Sequence, residues 1–291
     1  RAAGEAPPVR SWDWRWCTTR RRSTAFAVDP DELRAHLPLD AVLAGLLDLT
    51  AGVFGLRYEP LAVEAWHPEV RGLRVTDAAS DEILGDILLD LHPRDGKYGH
   101  AAAFPLVPSR RLRDGTRRRP LTAIVANLPA PGAGGPALLR HEDVVMLFHE
   151  FGHVLHGTLG RTRFTRFHGA TEWDFIEAPS QILEHWTWQP AVLARFARHH
   201  ATGEPIPGAL VERLVASRNL DVGLRTLRQC ALGLIDLALH GADPVDPDEA
   251  DRAAHERTGF PHHEGTHQPS SFGHLMGGYD AGYYGYLWAK V

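Results

Sequence analysis

Apolar residues change their spacing along the chain, and the changes predict a small sheet followed by a run of helices. Pro30 near the start of segment 29–32 predicts a short helix, and the apolar stretch 39–54 predicts a longer one. Alternating apolar and polar residues at 70–76 and 83–91, around the turn-like segment 77–81, predict an antiparallel hairpin. Segment 121–128 predicts a further strand, which we place at an edge of the sheet.

From residue 141 onward, the apolar residues follow helical spacing. This pattern predicts a helix that starts at His141, another around Glu177 that is broken at Pro190, and helices over 210–219, over 221–240 and from about 280. We find no internal repeat and no low-complexity linker. The expected fold is therefore mainly α-helical with a small antiparallel β-sheet, and it forms a single domain over 1–291.

The composition narrows the possible classes of protein. At 44% hydrophobic and 23% charged residues, the chain is typical of a globular domain with a sizeable core. A net charge of -5, with no aromatic residue inside the arginine-rich segments 20–22 and 110–119, argues against nucleic-acid binding. No apolar run approaches the length of about 20 residues that crosses a membrane, and the polar opening of the chain predicts no signal peptide. Two distant cysteines, Cys17 and Cys230, fit a cytoplasmic location.

The segment His149-Glu150-Phe151-Gly152-His153 carries the most specific chemistry. Residues four apart on a helix lie about 40° apart around its axis, so both histidines can face one metal ion. Glu150 then points beside them, where it can deprotonate a water molecule. This is the pattern of zinc hydrolases, although 18 histidines in 291 residues make it only a moderate signal by itself.

The surrounding residues strengthen the metal hypothesis. Apolar positions between 144 and 155 predict a mostly buried helix, and buried ionisable groups need partners, which a dication would provide. Catalytic zinc commonly has three protein ligands, so a third must come from elsewhere. His156 lies a further helical turn away, and the downstream glutamates include Glu177 and Glu184, seven residues apart. The histidines at 199–200 and 262–267 suggest a second metal site, but solvated loops are the better interpretation.

Four segments together resemble one known family. They read HEFGH at 149–153, DFIEAPSQILEHW at 174–186, GKYGHAA at 96–102 and SFGHLMGGYDAGYYGYLW at 271–288. With these residues, and in their order along the chain, the sequence from about residue 29 to its end resembles the thimet oligopeptidase family of zinc peptidases. Several independent motifs in the same order make coincidence an inadequate explanation.

The resemblance implies a role for each residue at a matching position. These roles are zinc ligands for His149, His153 and Glu177, general base and acid for Glu150, orientation of a ligand histidine for Glu184, substrate contacts for His274 and Tyr279, and hydrogen bonds to the oxyanion for Tyr283 and Tyr286. It also implies a zincin-like metallopeptidase domain, truncated at both ends relative to the family. Most of the channel that selects short peptides in the family would then be missing.

The expected function is a zinc-dependent oligopeptidase that hydrolyses internal bonds of short peptides with one Zn²⁺ ion. The expected protein is a cytoplasmic monomer without nucleic-acid or membrane partners. Other functions stay open, namely a dipeptidyl carboxypeptidase of the same family, a catalytically inactive peptide-binding remnant, and a zinc hydrolase that acts on something other than peptides.

Overall fold

The protein is described by a computed structural model over residues 10–132, 134–169 and 172–291. These residues divide into two compact units. The sheet unit contains the described residues of 30–172 together with 176–215, and the helical unit contains 10–29, 173–175 and 216–291. Within the described ranges, no helix is both long enough and apolar enough to cross a membrane. That the whole chain forms a single catalytic domain stays a prediction.

The strands of the sheet unit form a small mixed sheet and a short hairpin. They are β1 (Leu56–Leu61), β2 (Arg71–Asp77), β3 (Ile83–Asp90), β4 (Ala102–Val107), β5 (Arg110–Arg111), β6 (Arg117–Arg118) and β7 (Leu121–Val125). The sheet has the order β1-β2-β3-β7-β4, while β5 pairs with β6. The predicted hairpin is confirmed as β2 and β3, which pair in antiparallel fashion.

Two predictions about the sheet are wrong. The sheet is mixed rather than antiparallel, because β3 and β7 run parallel. In addition, β7 lies inside the sheet between β3 and β4, so the strand at that edge is β4. Thr122, Ala123 and Ile124 are buried in succession, which is typical of a strand covered on both faces. We placed this segment at the edge because its apolar run could not by itself distinguish an interior strand.

The longest of the α-helices described in the sheet unit is α4 (His141–Leu159). The others are α2 (Pro30–Ala35), α3 (Leu39–Phe54), α5 (Ala178–Trp186), α6 (Pro190–Phe196) and α7 (Gly208–Ala216), whose last residue belongs to the helical unit. Helix α4 packs against α5 and against β3, β4 and β7. Most of its apolar side chains are buried, and Leu147, Phe148 and Phe151 are fully buried. This burial confirms the sequence-based prediction for the helix that carries both histidines.

The helical unit contains α1 (Trp14–Phe26), α8 (Val222–Leu239), α9 (Pro247–Thr258), α10 (Gln268–Ser271) and α11 (Gly285–Trp288). Its core includes Leu232, Ile235, Phe272, Leu275 and Tyr283. The helix predicted from about residue 280 is shorter than expected, because turns occupy the residues before Gly285. Positive φ angles at Gly278 and Ala281 interrupt the helical conformation in this glycine-rich segment.

Candidate metal centre

Helix α4 brings His149 and His153 onto one face, as their spacing predicts. The centres of the two imidazole rings are 5.0 Å apart, and the ring planes are inclined by 79°. At the start of the helix, the backbone N–H of Arg140 donates a hydrogen bond of 2.9 Å to the Asp143 carboxylate. The buried apolar residues of α4 fix the rotation of the helix about its axis. Both histidines therefore project from a rigid element.

Glu177 completes a compact group of three potential ligands. It precedes α5 and is fully buried. Its Oε2 atom lies 3.3 Å from His149 Nε2 and 3.2 Å from His153 Nε2. Ser180 Oγ donates a hydrogen bond of 2.9 Å to the same carboxylate oxygen. Within the described part of the chain, this is the only trio of histidine, cysteine or acidic residues whose ligand atoms all lie within 4.8 Å of one another.

A glycine allows the two ligand-bearing elements to approach closely. A Cβ atom on Gly152 would lie 2.5 Å from Ser180 Cα and 2.7 Å from Pro179 O. These distances are shorter than van der Waals contact, and both neighbouring atoms belong to the backbone. Gly152 therefore permits the α4–α5 packing that places Glu177 beside the histidines. We did not identify this role from sequence, although a glycine inside a buried apolar helix was its visible signal.

Glu184 of α5 contacts His149 at the ring nitrogen opposite the one that faces Glu177. Its Oε1 atom is 2.7 Å from His149 Nδ1, while His149 Nε2 faces Glu177. Burial acts to lower the pKa of His149, but hydrogen bonds to Glu177 and Glu184 outweigh it and raise this pKa to about 10. The carboxylates thus favour a positive charge at the centre. A metal ion held by Nε2 would supply that charge.

The donor set fits zinc. Two imidazole nitrogens and one carboxylate oxygen face a common point, and this combination is used by catalytic zinc sites that leave a position open. By accepting a hydrogen bond from His149 Nδ1–H, Glu184 would fix the tautomer of His149 so that Nε2 is free to bind the metal.

Glu150 occupies the position expected of a general base. Its side chain is buried, and burial raises its pKa, while the neighbouring His149 and His153 act in the opposite direction. The backbone of Ala103 lies close to this carboxylate and acts to lower its pKa. Because Ala103 belongs to edge strand β4, the strand edge and the candidate base lie side by side. Sequence reasoning missed Ala103, since no side-chain pattern marks a backbone contact.

The four predicted substrate and oxyanion residues cluster within the helical unit. The His274 ring lies 5.2–5.9 Å from the rings of Tyr279, Tyr283 and Tyr286, and Tyr279 stacks on Tyr286 at 5.2 Å. The backbone N–H groups of Ala281 and Tyr283 donate hydrogen bonds to the buried Asp236 carboxylate. The structure therefore brings these four residues together and anchors their loop. Their roles in substrate and oxyanion binding stay predictions.

The histidines of segment 262–267 contact neighbouring acidic and aromatic residues. His262 lies 3.3 Å from Asp251, and His267 lies 2.9 Å from Asp248. His263 contacts the ring of Trp12. Among the residues that the structure describes, none of these histidines belongs to a second trio with the close spacing of His149, His153 and Glu177.

A motif helix packed on a mixed sheet, with a buried glutamate completing its histidine pair, is consistent with the zincin-like class that the sequence predicted. Comparison with known proteins identifies the family. The family model described as Peptidase family M3 matches residues 2–291, and the chain belongs to that family. This confirms the predicted resemblance to thimet oligopeptidases.

Individual relatives agree with the family match. Saccharolysin from Saccharomyces cerevisiae is 37% identical over 303 residues, covering 99% of this chain and 43% of the yeast protein. Oligopeptidase A from Escherichia coli is 33% identical, and the match covers 97% of this chain and 43% of the bacterial protein. Dipeptidyl carboxypeptidase from the same organism is 34% identical, and the match covers 97% of this chain and 42% of that protein. The chain thus spans less than half the length of these curated relatives.

Proposed function

We propose that the chain is the catalytic part of a zinc-dependent oligopeptidase. His149, His153 and Glu177 would hold one zinc ion, and Glu150 would act as the general base and acid. The observation that carries this proposal is the convergence of the three ligand atoms within 4.8 Å of one another. Family membership adds independent support, since the relatives include an oligopeptidase and a dipeptidyl carboxypeptidase.

The reaction would be hydrolysis of a peptide bond. When bound, zinc supplies a Lewis acid that polarises the carbonyl and makes a neighbouring water molecule more acidic. Glu150 would accept the proton of the attacking water and return it to the leaving amine. Burial raises the pKa of Glu150, which strengthens the carboxylate as a base, and the backbone of Ala103 lies close to it. Glu184 would orient His149 through their hydrogen bond of 2.7 Å.

The substrate would be a short peptide that extends along β4. This strand is at the edge of the sheet, its Phe104, Pro105 and Leu106 are exposed, and its Ala103 adjoins Glu150. An extended peptide can add to such an edge through backbone hydrogen bonds. His274 and Tyr279 would contact the substrate, and Tyr283 and Tyr286 would donate hydrogen bonds to the developing oxyanion. Of the two candidate activities, we favour cleavage of internal peptide bonds, and removal of C-terminal dipeptides is the second.

The variant Glu150→Gln tests the proposal. It keeps the size of the side chain and removes its basicity, so peptide turnover should disappear while zinc binding stays at one ion per chain. Mass spectrometry of the products identifies the bond that the wild-type chain cleaves, and metal analysis gives the zinc content. Substantial turnover by the variant would refute the assignment of Glu150. Wild-type turnover that resists complete removal of zinc would refute the metal assignment.

A further inference from the structure

A cavity of about 440 Å³ lies in the sheet unit where β4 ends and the β5–β6 hairpin rejoins the sheet. We call it the arginine cavity. Its lining residues are Asp86, Val107, Arg117, Arg118, Arg119, Pro120 and Leu121. Three consecutive arginines thus line one cavity, and they belong to the segment 110–119 that sequence analysis assigned to solvated loops.

The three arginines have no carboxylate of their own among the described residues. Arg117 donates hydrogen bonds to Ser109 Oγ at 2.7 Å and to Gly160 O at 2.8 Å. Arg118 donates to Pro108 O at 3.0 Å, and no described residue hydrogen-bonds to the Arg119 side chain. These acceptors are neutral, so three positive charges stay without a negative partner.

The nearby acidic side chains are paired with other arginines. Asp86 lines the cavity, but its carboxylate accepts hydrogen bonds of 2.9 and 3.4 Å from Arg74. Glu82 is the other acidic neighbour, and it forms an ion pair of 2.6 Å with Arg161. Each carboxylate is thus paired with an arginine that does not line the cavity, and the charge of Glu82 offsets only part of the lowering of the Arg117 pKa.

Two further observations point to a positive potential. Arg117 Nη1 is buried and has no hydrogen-bond partner within the described ranges. Burial, followed by the charge of Arg161, lowers the pKa of Arg117. Burial and then the charge of Arg117 also lower the pKa of His168. A group of cations that destabilise one another's charged forms would be stabilised by an anion.

The cavity lies at one end of the strand beside the metal centre. Ala103 of β4 contacts the candidate base Glu150, and Val107, which lines the cavity, is the last residue of β4. Four residues of extended chain span about 13 Å. A peptide lying along β4 would therefore reach the arginine cavity with a side chain about four residues from the bond that is cleaved.

We propose that the arginine cavity binds a carboxylate of the peptide substrate, so that the chain favours peptides with an acidic residue about four positions to one side of the cleaved bond. This inference rests on the proposed peptidase function and names a feature of its substrate. Arg118 and Arg119 would supply the recognition. Arg117 also supports the end of α4 through Gly160 O, and it is left unchanged in the test.

The test measures peptide binding on the chain that carries Glu150→Gln, so that cleavage does not interfere. A fluorescent neutral peptide is compared with a set in which one glutamate is moved along the sequence. We expect the peptide with glutamate three to five positions from the cleavage point, on one side only, to bind three- to tenfold more tightly than the neutral peptide. This gain should shrink as salt screens the charges.

Two arginine variants provide the comparison. R118Q and R119Q should each reduce the gain from glutamate at least twofold, and the neutral peptide should bind as before. R113Q is the matched control, because Arg113 is an exposed arginine of the same hairpin that does not line the cavity. It should leave the gain intact.

Three results would overturn the subsite. They are equal binding of all peptides in the set, a gain that R118Q and R119Q leave unchanged, and a loss of equal size in R113Q.

Inorganic phosphate is tested separately by its effect on the melting temperature. Stabilisation by phosphate that depends on Arg118, without any gain from glutamate, would assign the cavity to free anions and reject the proposal. Failure of the wild-type chain to cleave the neutral peptide would instead count against the proposed function, and the binding data would still decide on the cavity.

Discussion

At the scale of single residues, the hydrogen bond between Glu184 and His149 links the metal centre to α5. The two side chains meet at 2.7 Å, and the carboxylate fixes which ring nitrogen of His149 faces Glu177. Such a contact strengthens metal binding without touching the metal. Replacing it should therefore weaken zinc affinity rather than abolish binding.

We predict that Glu184→Gln lowers zinc affinity by about 10- to 100-fold, because the carboxylate no longer orients the imidazole or makes it a stronger ligand. Competition with a coloured chelator measures this affinity. The control Glu212→Gln changes an exposed glutamate of α7 in the same unit and should leave affinity unchanged. Wild-type affinity in the Glu184 variant would show that His149 needs no such partner.

A second residue-scale feature is the buried ion cluster around Asp90, the last residue of β3. Its carboxylate accepts hydrogen bonds from Arg94 at 2.6 and 2.7 Å, from Lys97 at 2.8 Å and from Trp66 at 2.8 Å. Lys97 is almost fully buried and also donates to Ala126 O at 2.6 Å. This lysine belongs to the motif segment 96–102, so the cluster anchors the chain that leads into β4.

The charge of Asp90 makes stability depend on pH. Burial alone would raise the pKa of Asp90, but the hydrogen bonds from Arg94, Lys97 and Trp66 outweigh burial and hold it well below its ordinary value. A lowered carboxyl pKa contributes stability above about pH 4, and this contribution is lost as the pH falls further. Asp90→Asn should lower the free energy of unfolding by about 3–5 kcal/mol at pH 7, because Lys97 is left buried without its counter-charge.

Urea unfolding at a series of pH values measures this effect. The difference between wild type and Asp90→Asn should narrow as the pH falls from 4 towards 2. Asp48→Asn removes a surface partner of Arg195 and should change stability by less than about 1 kcal/mol. A difference that stays constant across this pH range would mean that the charge of Asp90 does not stabilise the fold.

At the scale of elements, the packing of α4 on α5 decides whether Glu177 meets the histidines. Gly152→Ala would place a methyl group against the backbone of Ser180 and Pro179, with 2.5 and 2.7 Å to the nearest atoms. We expect the helices to separate, with a loss of about 1–3 kcal/mol of stability and weaker zinc binding. Thermal unfolding and chelator competition measure the two effects.

Gly157→Ala on the same helix is the matched control. There a Cβ atom would lie 3.6 Å from Thr122 Oγ1, which is an ordinary contact. Alanine is favoured over glycine inside a helix by about 1 kcal/mol, so this variant should be as stable as the wild type or more stable. If both alanine variants bind zinc equally well, close packing at Gly152 is not what positions Glu177.

The sequence predicted those elements whose apolar residues repeat clearly. α3, α4, α8 and the β2–β3 hairpin were expected from periodicity, and the structure contains them. It was silent on α1, which buries no residue completely and so has no apolar stripe. It also missed β4, because an edge strand with exposed Phe104 and Leu106 lacks the alternation of a half-buried strand. The contact between Ala103 and Glu150 follows from the position of β4 and could not be predicted without it.

For a related reason, the sequence predicted only some residues of the site. Helical spacing alone placed His149 and His153 together, because four residues separate them on one helix. Glu177 came from the family resemblance, since many glutamates were available and only the packing of α5 brings this one to the histidines. The arginine cavity could not be predicted, because the sequence does not show that nearby carboxylates are occupied elsewhere.

At the scale of the whole molecule, the residues with predicted roles are divided between the two units. The zinc ligands and Glu150 belong to the sheet unit, whereas His274 and the three tyrosines belong to the helical unit. Asp236 of α8 is buried and accepts backbone hydrogen bonds from Ala281 and Tyr283 at 3.0 and 2.9 Å. His240 also lies 2.8 Å from this carboxylate. Asp236 thus anchors the tyrosine loop, and it is not itself one of the predicted zinc ligands.

Changes in the helical unit should therefore affect catalysis and leave zinc binding intact. We predict that Tyr286→Phe lowers kcat for peptide hydrolysis by about 10²–10³-fold, because one hydrogen bond to the developing oxyanion is lost. Asp236→Asn replaces one acceptor oxygen with an NH2 group that cannot accept from the loop, so it should also lower kcat, and zinc affinity should stay at the wild-type value.

Tyr284→Phe is the control, since Tyr284 is a partly exposed tyrosine of the same loop and has no predicted role. Steady-state kinetics and metal analysis on the same preparations separate the two effects. Unchanged kcat in both Tyr286→Phe and Asp236→Asn would remove the tyrosine loop from the proposed chemistry, whereas loss of zinc in either variant would mean that the fall in kcat does not report on the oxyanion.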